Sequence, residues 1–187
     1  MKSTILKKKL ASSWFLNLRN QICEKFEDIE NNYSKKKIKF LKKRWKKSKT
    51  KSEGGGEISI LRNGKIFEKV GVNISVVNGF FNSEFKKRIP GTEKSPKYWA
   101  AGISLVAHFQ NPKIPSLHFN TRYIVTSKEW FGGGMDVTPC IADNQQKKYF
   151  HSELKKTCDL HDKNYYKKHK SNCDKYFYLP HRKEPRG

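Results

Sequence analysis

Two stretches in the middle of the chain alternate with a period of two, and they constrain the fold more than any other feature. In the first, Ile103, Leu105, Ala107 and Phe109 point one way while Ser104, Val106, His108 and Gln110 point the other. In the second, Leu117, Phe119, Thr121, Tyr123 and Val125 share one side, opposite His118, Asn120, Arg122 and Ile124. The link Asn111-Pro112-Lys113-Ile114-Pro115 is rich in turn formers and too short for a crossover helix, so the two strands pair antiparallel. Pairing centred on that link puts His108 opposite His118 and Ser104 opposite Arg122. The polar residues then line a single sheet face, because same-parity positions stay together across an antiparallel pair. Such a face is either solvated or a site. This one carries no Lys and no Glu in a chain with 40 Lys and Arg residues, which favours the site.

The formal charge of +23 would ordinarily suggest a nucleic-acid partner. Only seven of the basic residues are Arg, the residue that grips phosphate bidentately and reads bases, so the excess does not have the makeup of a nucleic-acid surface. Eleven of the cations fall between Lys35 and Lys51, where Phe40 and Trp45 are interleaved with Lys. Residues 35–53 read as a solvated Lys-rich connector, with RNA binding as the alternative. At 187 residues with 12 Phe, 8 Tyr and 4 Trp, the chain has enough apolar bulk for one domain over residues 1–187. Cys23, Cys140, Cys158 and Cys173 have no metal-ribbon or redox spacing. Without a signal peptide or an apolar run of membrane-spanning length, the reading is a cytoplasmic protein with no membrane span.

Ser13 reads as the N-cap of a helix to about Asn31, with Phe15, Leu18, Ile22, Phe26 and Ile29 as its apolar stripe. Residues 57–62 and 65–70 flank Asn63-Gly64, the signature of a type I′ hairpin with positive φ at both turn residues. A further strand follows over residues 71–77. The triple glycine Gly132-Gly133-Gly134 is followed by no Gly-Lys-Ser/Thr and has no dinucleotide-fold spacing, so it serves close backbone approach or bends an edge. Beyond Asn144 the pattern is helical, with a second helix over residues 164–176.

The blocks FEKVGVNIS (67–75), GISLVAHFQNP (102–112), HFNTRY (118–123), WFGGGMDVTP (130–139) and CDKYFYLPHRKEPRG (173–187) together closely resemble oxygen-dependent coproporphyrinogen III oxidase. The likeness runs in order from about Ser12 to the last residue. It implies an α+β fold, a large antiparallel sheet flanked by helices on both faces, and a homodimer. It implies an enzyme of haem biosynthesis that oxidatively decarboxylates two propionates of coproporphyrinogen III to vinyls. O2 is the oxidant, and protoporphyrinogen IX, carbon dioxide and hydrogen peroxide are the products. No organic cofactor is used. By motif match, Ser104, Asn120, Thr121 and Arg122 bind substrate and His118 is the proton donor. His108, His118, His151 and His181 match the family's divalent-metal ligands.

The chemistry of the substrate adds candidates. Its propionates call for Arg122, Arg182 and Arg186 as bidentate partners. Its pyrrole N–H groups call for an acceptor, which Asp136 beside the glycine run would supply as a catalytic residue, fixing the tetrapyrrole and helping to remove a pyrrole proton so that O2 can attack the electron-rich ring. Family members continue past Pro185-Arg186-Gly187, so the domain is expected to be incomplete at its C-terminus. The two alternatives are an inactive truncated fragment and a Lys-rich nucleic-acid-binding protein.

Overall fold

The structure is a computed structural model that describes residues 3–86 and 88–185. Its elements are helix α1 (Thr4–Tyr33), strands β1 (Leu41–Lys46), β2 (Gly54–Arg62) and β3 (Phe67–Phe80), and a single helical turn α2 (Ser83–Lys86). Strands β4 (Lys97–Phe109), β5 (Ser116–Val125) and β6 (Glu129–Thr138), helices α3 (Asn144–Asp159) and α4 (Tyr165–Tyr176), and the short strands β7 (Tyr178–Leu179) and β8 (Glu184–Pro185) follow. Strands β1 to β6 form one antiparallel sheet in sequence order, and β7 pairs with β8. The architecture is the expected α+β fold. No described helix is long and apolar enough to cross a membrane.

One sheet face is apolar and covered by α1. Val70, Val72, Ile103, Leu105 and Ala107 are buried there against Ala11, Phe15 and Cys23 of the helix. Burial pushes the Cys23 thiol up to about 11, which suits a packing residue and not a nucleophile. Helix α1 begins ten residues earlier than the sequence suggested, capped by Ser3, whose Oγ accepts from the Leu6 N–H. No Gly or Pro interrupts residues 4–13, so nothing stops the helix from extending back through the lysines. Its buried line is Ala11, Phe15, Arg19, Cys23 and Glu30, whereas Ile29 is exposed. The helix therefore carries a cation and an anion into the core, each with partners. Arg19 Nη1 donates to Glu57 Oε1 at 2.6 Å and to Ser59 Oγ at 2.7 Å.

The opposite face is polar, and the C-terminal end of α4 lies over part of it. Phe177 ring carbons stand 3.9 Å from where a side chain on Gly134 would begin. Helix α1 thus covers one face, and Phe177, which ends α4, reaches the other at β6.

Three local expectations are corrected. Residues 41–46, expected in a connector, form the edge strand β1, paired with β2 from Leu41↔Ile60 to Lys46↔Gly55. All six residues are exposed, and lysines along an open edge discourage pairing with another chain. The turn at Asn63-Gly64 has positive φ at Asn63 alone. It is a longer loop, closed by Gly64 N–H to Phe67 O at 2.9 Å and Asn63 N–H to Glu68 O at 3.0 Å. Residues 67–80 are one continuous strand, β3, in place of two.

A further correction is the register of the central hairpin. His118 lies opposite Val106, Asn120 opposite Ser104, and Arg122 opposite Gly102, two residues from the expected pairing. The end of β4 is tied to the β2–β3 loop, through Gln110 N–H to Ile66 O (2.9 Å) and Gln110 Nε2 to Gly64 O (3.0 Å). Residues 108–110 therefore stay with their β3 side, and the loop to β5 takes up six residues. A slip of two preserves parity, so the same residues still share a face.

Candidate active site

The register of the whole sheet arranges the polar face in rows. One row runs Asn73 (β3), Ser104 (β4), Asn120 (β5) and Gly134 (β6). The next runs Gly56 (β2), Ser75, Gly102, Arg122 and Gly132, and begins at Trp45 on β1. On the other side, Val106, His118 and Asp136 are neighbours. These rows bound an open groove of about 400 Å³, lined by Trp45, Asn73, Ser104, His118, Asn120 and Arg122 among others.

His118 and Asp136 form the pair with most chemistry. Nδ1 of His118 lies 2.9 Å from Oδ2 of Asp136. The His118 side chain is 37% exposed and that of Asp136 10%, so the acid is inside and the imidazole is at the groove. A buried carboxylate on Nδ1 holds the ring as the Nδ1–H tautomer and leaves Nε2 for a ligand. Asp136, expected to face pyrrole N–H groups, has one oxygen committed to His118.

Glycines shape the site. A side chain on Gly133 would begin 2.3 Å from Asn120 O, so strand β6 can pair this closely with β5 only with glycine there. Gly132 and Gly134 raise no side chain on the groove side; a side chain at Gly132 would begin 3.9 Å from the Trp130 ring, and one at Gly134 3.9 Å from the Phe177 ring. Asn73 Oδ1 and Asn120 Oδ1 are buried without a hydrogen-bond partner among the described residues. Arg122 is exposed at the groove and forms no ion pair among the described residues.

The expected site residues divide accordingly. Ser104, His118, Asn120 and Arg122 come together at one groove, with Asp136 directly behind His118; Thr121 borders the groove, but its side chain belongs by strand parity to the opposite face. Arg182 pairs with Glu184 at 2.8 Å on the surface, so its guanidinium is already engaged. Arg186 lies outside the described residues. The four histidines expected to hold a metal are not gathered. His108 Nδ1 is 3.2 Å from Ser116 Oγ, His118 faces Asp136, His151 Nδ1 is 3.1 Å from Tyr166 Oη on α4, and His181 is exposed in the turn between β7 and β8. Among the described residues no three His, Cys, Asp or Glu side chains are placed to hold a metal ion. The residues as arranged do not fit that group. Burial, reinforced by Lys170 and Lys147, lowers the affinity of His151 for a proton.

Sequence reasoning missed Trp45, Asn73 and Ser75. The signal for the last two was present, since Asn73 and Ser75 alternate with Val72, Ile74 and Val76 on a strand whose apolar side was recognised.

Comparison with known proteins agrees with this geometry. Residues 11–187 match the family model described as coproporphyrinogen III oxidase. The chain is 51% identical over 184 residues to the oxygen-dependent coproporphyrinogen-III oxidase of Rickettsia africae, and equally to that of Rickettsia bellii. It is 50% identical to the protein of the same name from Rickettsia conorii. Each alignment covers 96% of this chain and 64% of the relative, so the chain spans a little under two thirds of the length of the proteins it matches. A family match over nearly the whole chain, at about half identity, makes this chain a member of the coproporphyrinogen III oxidase family.

Proposed function

We propose that the groove binds coproporphyrinogen III and that the protein acts in haem biosynthesis, as an oxidase that converts two of its propionates to vinyl groups. The observation that carries this reading is the placement of the His118–Asp136 pair beside Arg122, which has no ion pair among the described residues, along a strand whose groove-side positions Gly132 and Gly134 raise no side chain. Arg122 can take a propionate through a charge-assisted bidentate bond. Ser104 and Asn120 supply neutral polar contacts around the ring. In its imidazolium form, which the Asp136 carboxylate stabilises through Nδ1–H, His118 can deliver a proton from Nε2.

For each propionate, the β-carbon loses a hydrogen with its electron pair to O2, and the carboxylate leaves as CO2. The electrons of the broken C–C bond become the new C=C bond. The oxygen-derived hydroperoxide anion takes one proton, assigned here to His118, and leaves as H2O2. O2 is thus the co-substrate, and no step needs a group other than those named. The reading includes the homodimer and the cytoplasmic location expected of the family. Exposed Trp14 and Phe131, beside a cleft between α1 and β6, are apolar surface of the kind that subunits bury.

The test is aerobic incubation of the purified chain with coproporphyrinogen III, followed by oxidation, chromatography and porphyrin fluorescence. The expected result is a tricarboxylate intermediate followed by protoporphyrin. Substrate recovered unchanged, with a relative of full length active in parallel, would remove the activity.

A further inference from the structure

Trp45 belongs to the Lys-rich strand at the edge of the sheet, where a side chain is free to turn outward. It does not. Its Cε2 and Cζ2 atoms lie 3.0 Å from where a side chain on Gly56 would begin, so the indole lies across the glycine of the neighbouring strand. It remains 36% exposed and lines the groove that holds His118 and Arg122.

Trp45 and Arg122 also stand in the same row of the sheet. The positions between them are Gly56, Ser75 and Gly102, so no side chain larger than a hydroxymethyl group rises from the floor. Four strand spacings separate their backbones, about 19 Å, and both side chains reach inward from that distance. A flat bed with an aromatic face at one end and an unpaired guanidinium toward the other suits a flat amphiphile with a π-rich body and carboxylate arms. A pyrrole ring offers an aromatic face and an N–H edge, both of which interact favourably with indole.

We propose that Trp45 is a substrate-positioning residue: its indole packs against one pyrrole unit of the tetrapyrrole, so the Lys-rich strand β1 forms one wall of the substrate site. This rests on the tetrapyrrole reading above. It assigns a substrate-binding role to a segment whose composition reads first as a solvated connector. The alternative is that the ring merely covers the sheet edge, and the two roles affect different measurements.

The probe is coproporphyrin III, the air-stable oxidised form, titrated into the full chain and followed by its Soret band. Trp45→Ala is expected to raise Kd about tenfold, the usual scale for losing an aromatic stacking partner, while Trp45→Phe stays close to the unsubstituted chain. Trp45→Leu keeps apolar cover over Gly56 without a π face, and it is expected to bind as poorly as the Ala variant with an unchanged melting temperature. If Leu and Ala variants that are folded by circular dichroism bind as tightly as the unsubstituted chain, the inference is overturned. If the unsubstituted chain does not bind coproporphyrin III at all, the tetrapyrrole reading fails, and this inference fails with it.

Discussion

His118 and Asp136 are directly opposite each other on β5 and β6, and Nδ1 meets Oδ2 at 2.9 Å with the carboxylate on the buried side. A cross-strand pair needs no loop to hold it, so the sheet itself sets the imidazole's orientation. Asp136→Asn keeps the shape but offers an amide in place of a carboxylate, which favours the wrong tautomer and stabilises no imidazolium. Turnover of coproporphyrinogen III is expected to fall by about 10²-fold or more in kcat, with KM little changed. Asp136→Ala should do the same while leaving the fold intact. A variant with near-normal kcat would exclude the pair from the chemistry.

The unpartnered carboxamide oxygens of Asn73 and Asn120 flank Ser104 in one row. A buried acceptor without a donor contributes nothing to folding and carries a desolvation penalty of about 1–3 kcal/mol. Asn73→Ala is therefore expected to leave the melting temperature unchanged or raise it, and to weaken coproporphyrin III binding. Urea denaturation beside a binding titration separates the two effects. A loss of stability without a loss of affinity would mark Asn73 as structural.

The bond from Arg19 holds the Glu57 carboxyl below its ordinary value of 4.5, with Arg44 assisting and burial opposing. A carboxyl whose folded value is depressed stabilises the protein fully above its unfolded value and loses that contribution as pH falls through the folded one. Arg19 is 3% exposed, so Glu57→Gln leaves a buried cation with only neutral partners, at a cost of about 3 kcal/mol near neutrality. The gap between the two proteins should narrow as pH drops below about 4.5. Denaturant midpoints measured from pH 7 to pH 3 check this, and a pH-independent gap would refute it.

Periodicity carried much of this in advance, and the limits have physical causes. The parity that gathers Ser104, His118, Asn120 and Arg122 follows from a period of two and survives any even slip, so the polar face was legible. The register was not, because it depends on Gln110 bonding to Gly64 and Ile66, a contact over 40 residues away in the chain. Trp45 was hidden for a related reason. Strand β1 forms only by pairing with β2, and its Lys content is that of a loop, since an edge strand tolerates side chains that a central strand would reject. The His151 and His181 positions were legible as chain positions only. The structure gives His151 a Tyr166 partner instead of a place at the groove.

Glu30, at the far end of α1, is fully buried and pairs with no cation among the described residues, yet it is fully used. Its carboxylate accepts from the backbone N–H groups of Ile66 and Phe67, both at 3.0 Å, and from Lys65. These are donors that the open β2–β3 loop leaves without strand partners. Gly64 makes room for it, since a side chain there would begin 2.3 Å from Glu30 Oε2 and 2.9 Å from Phe67 O. Its φ is not in the left-handed region, so the requirement is space alone. Glu30→Ala should cost about 3 kcal/mol, because it strands several amides at once and opens a void. Gly64→Ala should also destabilise, by pushing the carboxylate off its donors. The two losses are expected not to add. Once Glu30 is gone, the new methyl has an empty site to enter, so the double variant should be more stable than the sum predicts by about 1 kcal/mol or more. Strictly additive losses in guanidinium unfolding would show that Gly64 and Glu30 act independently.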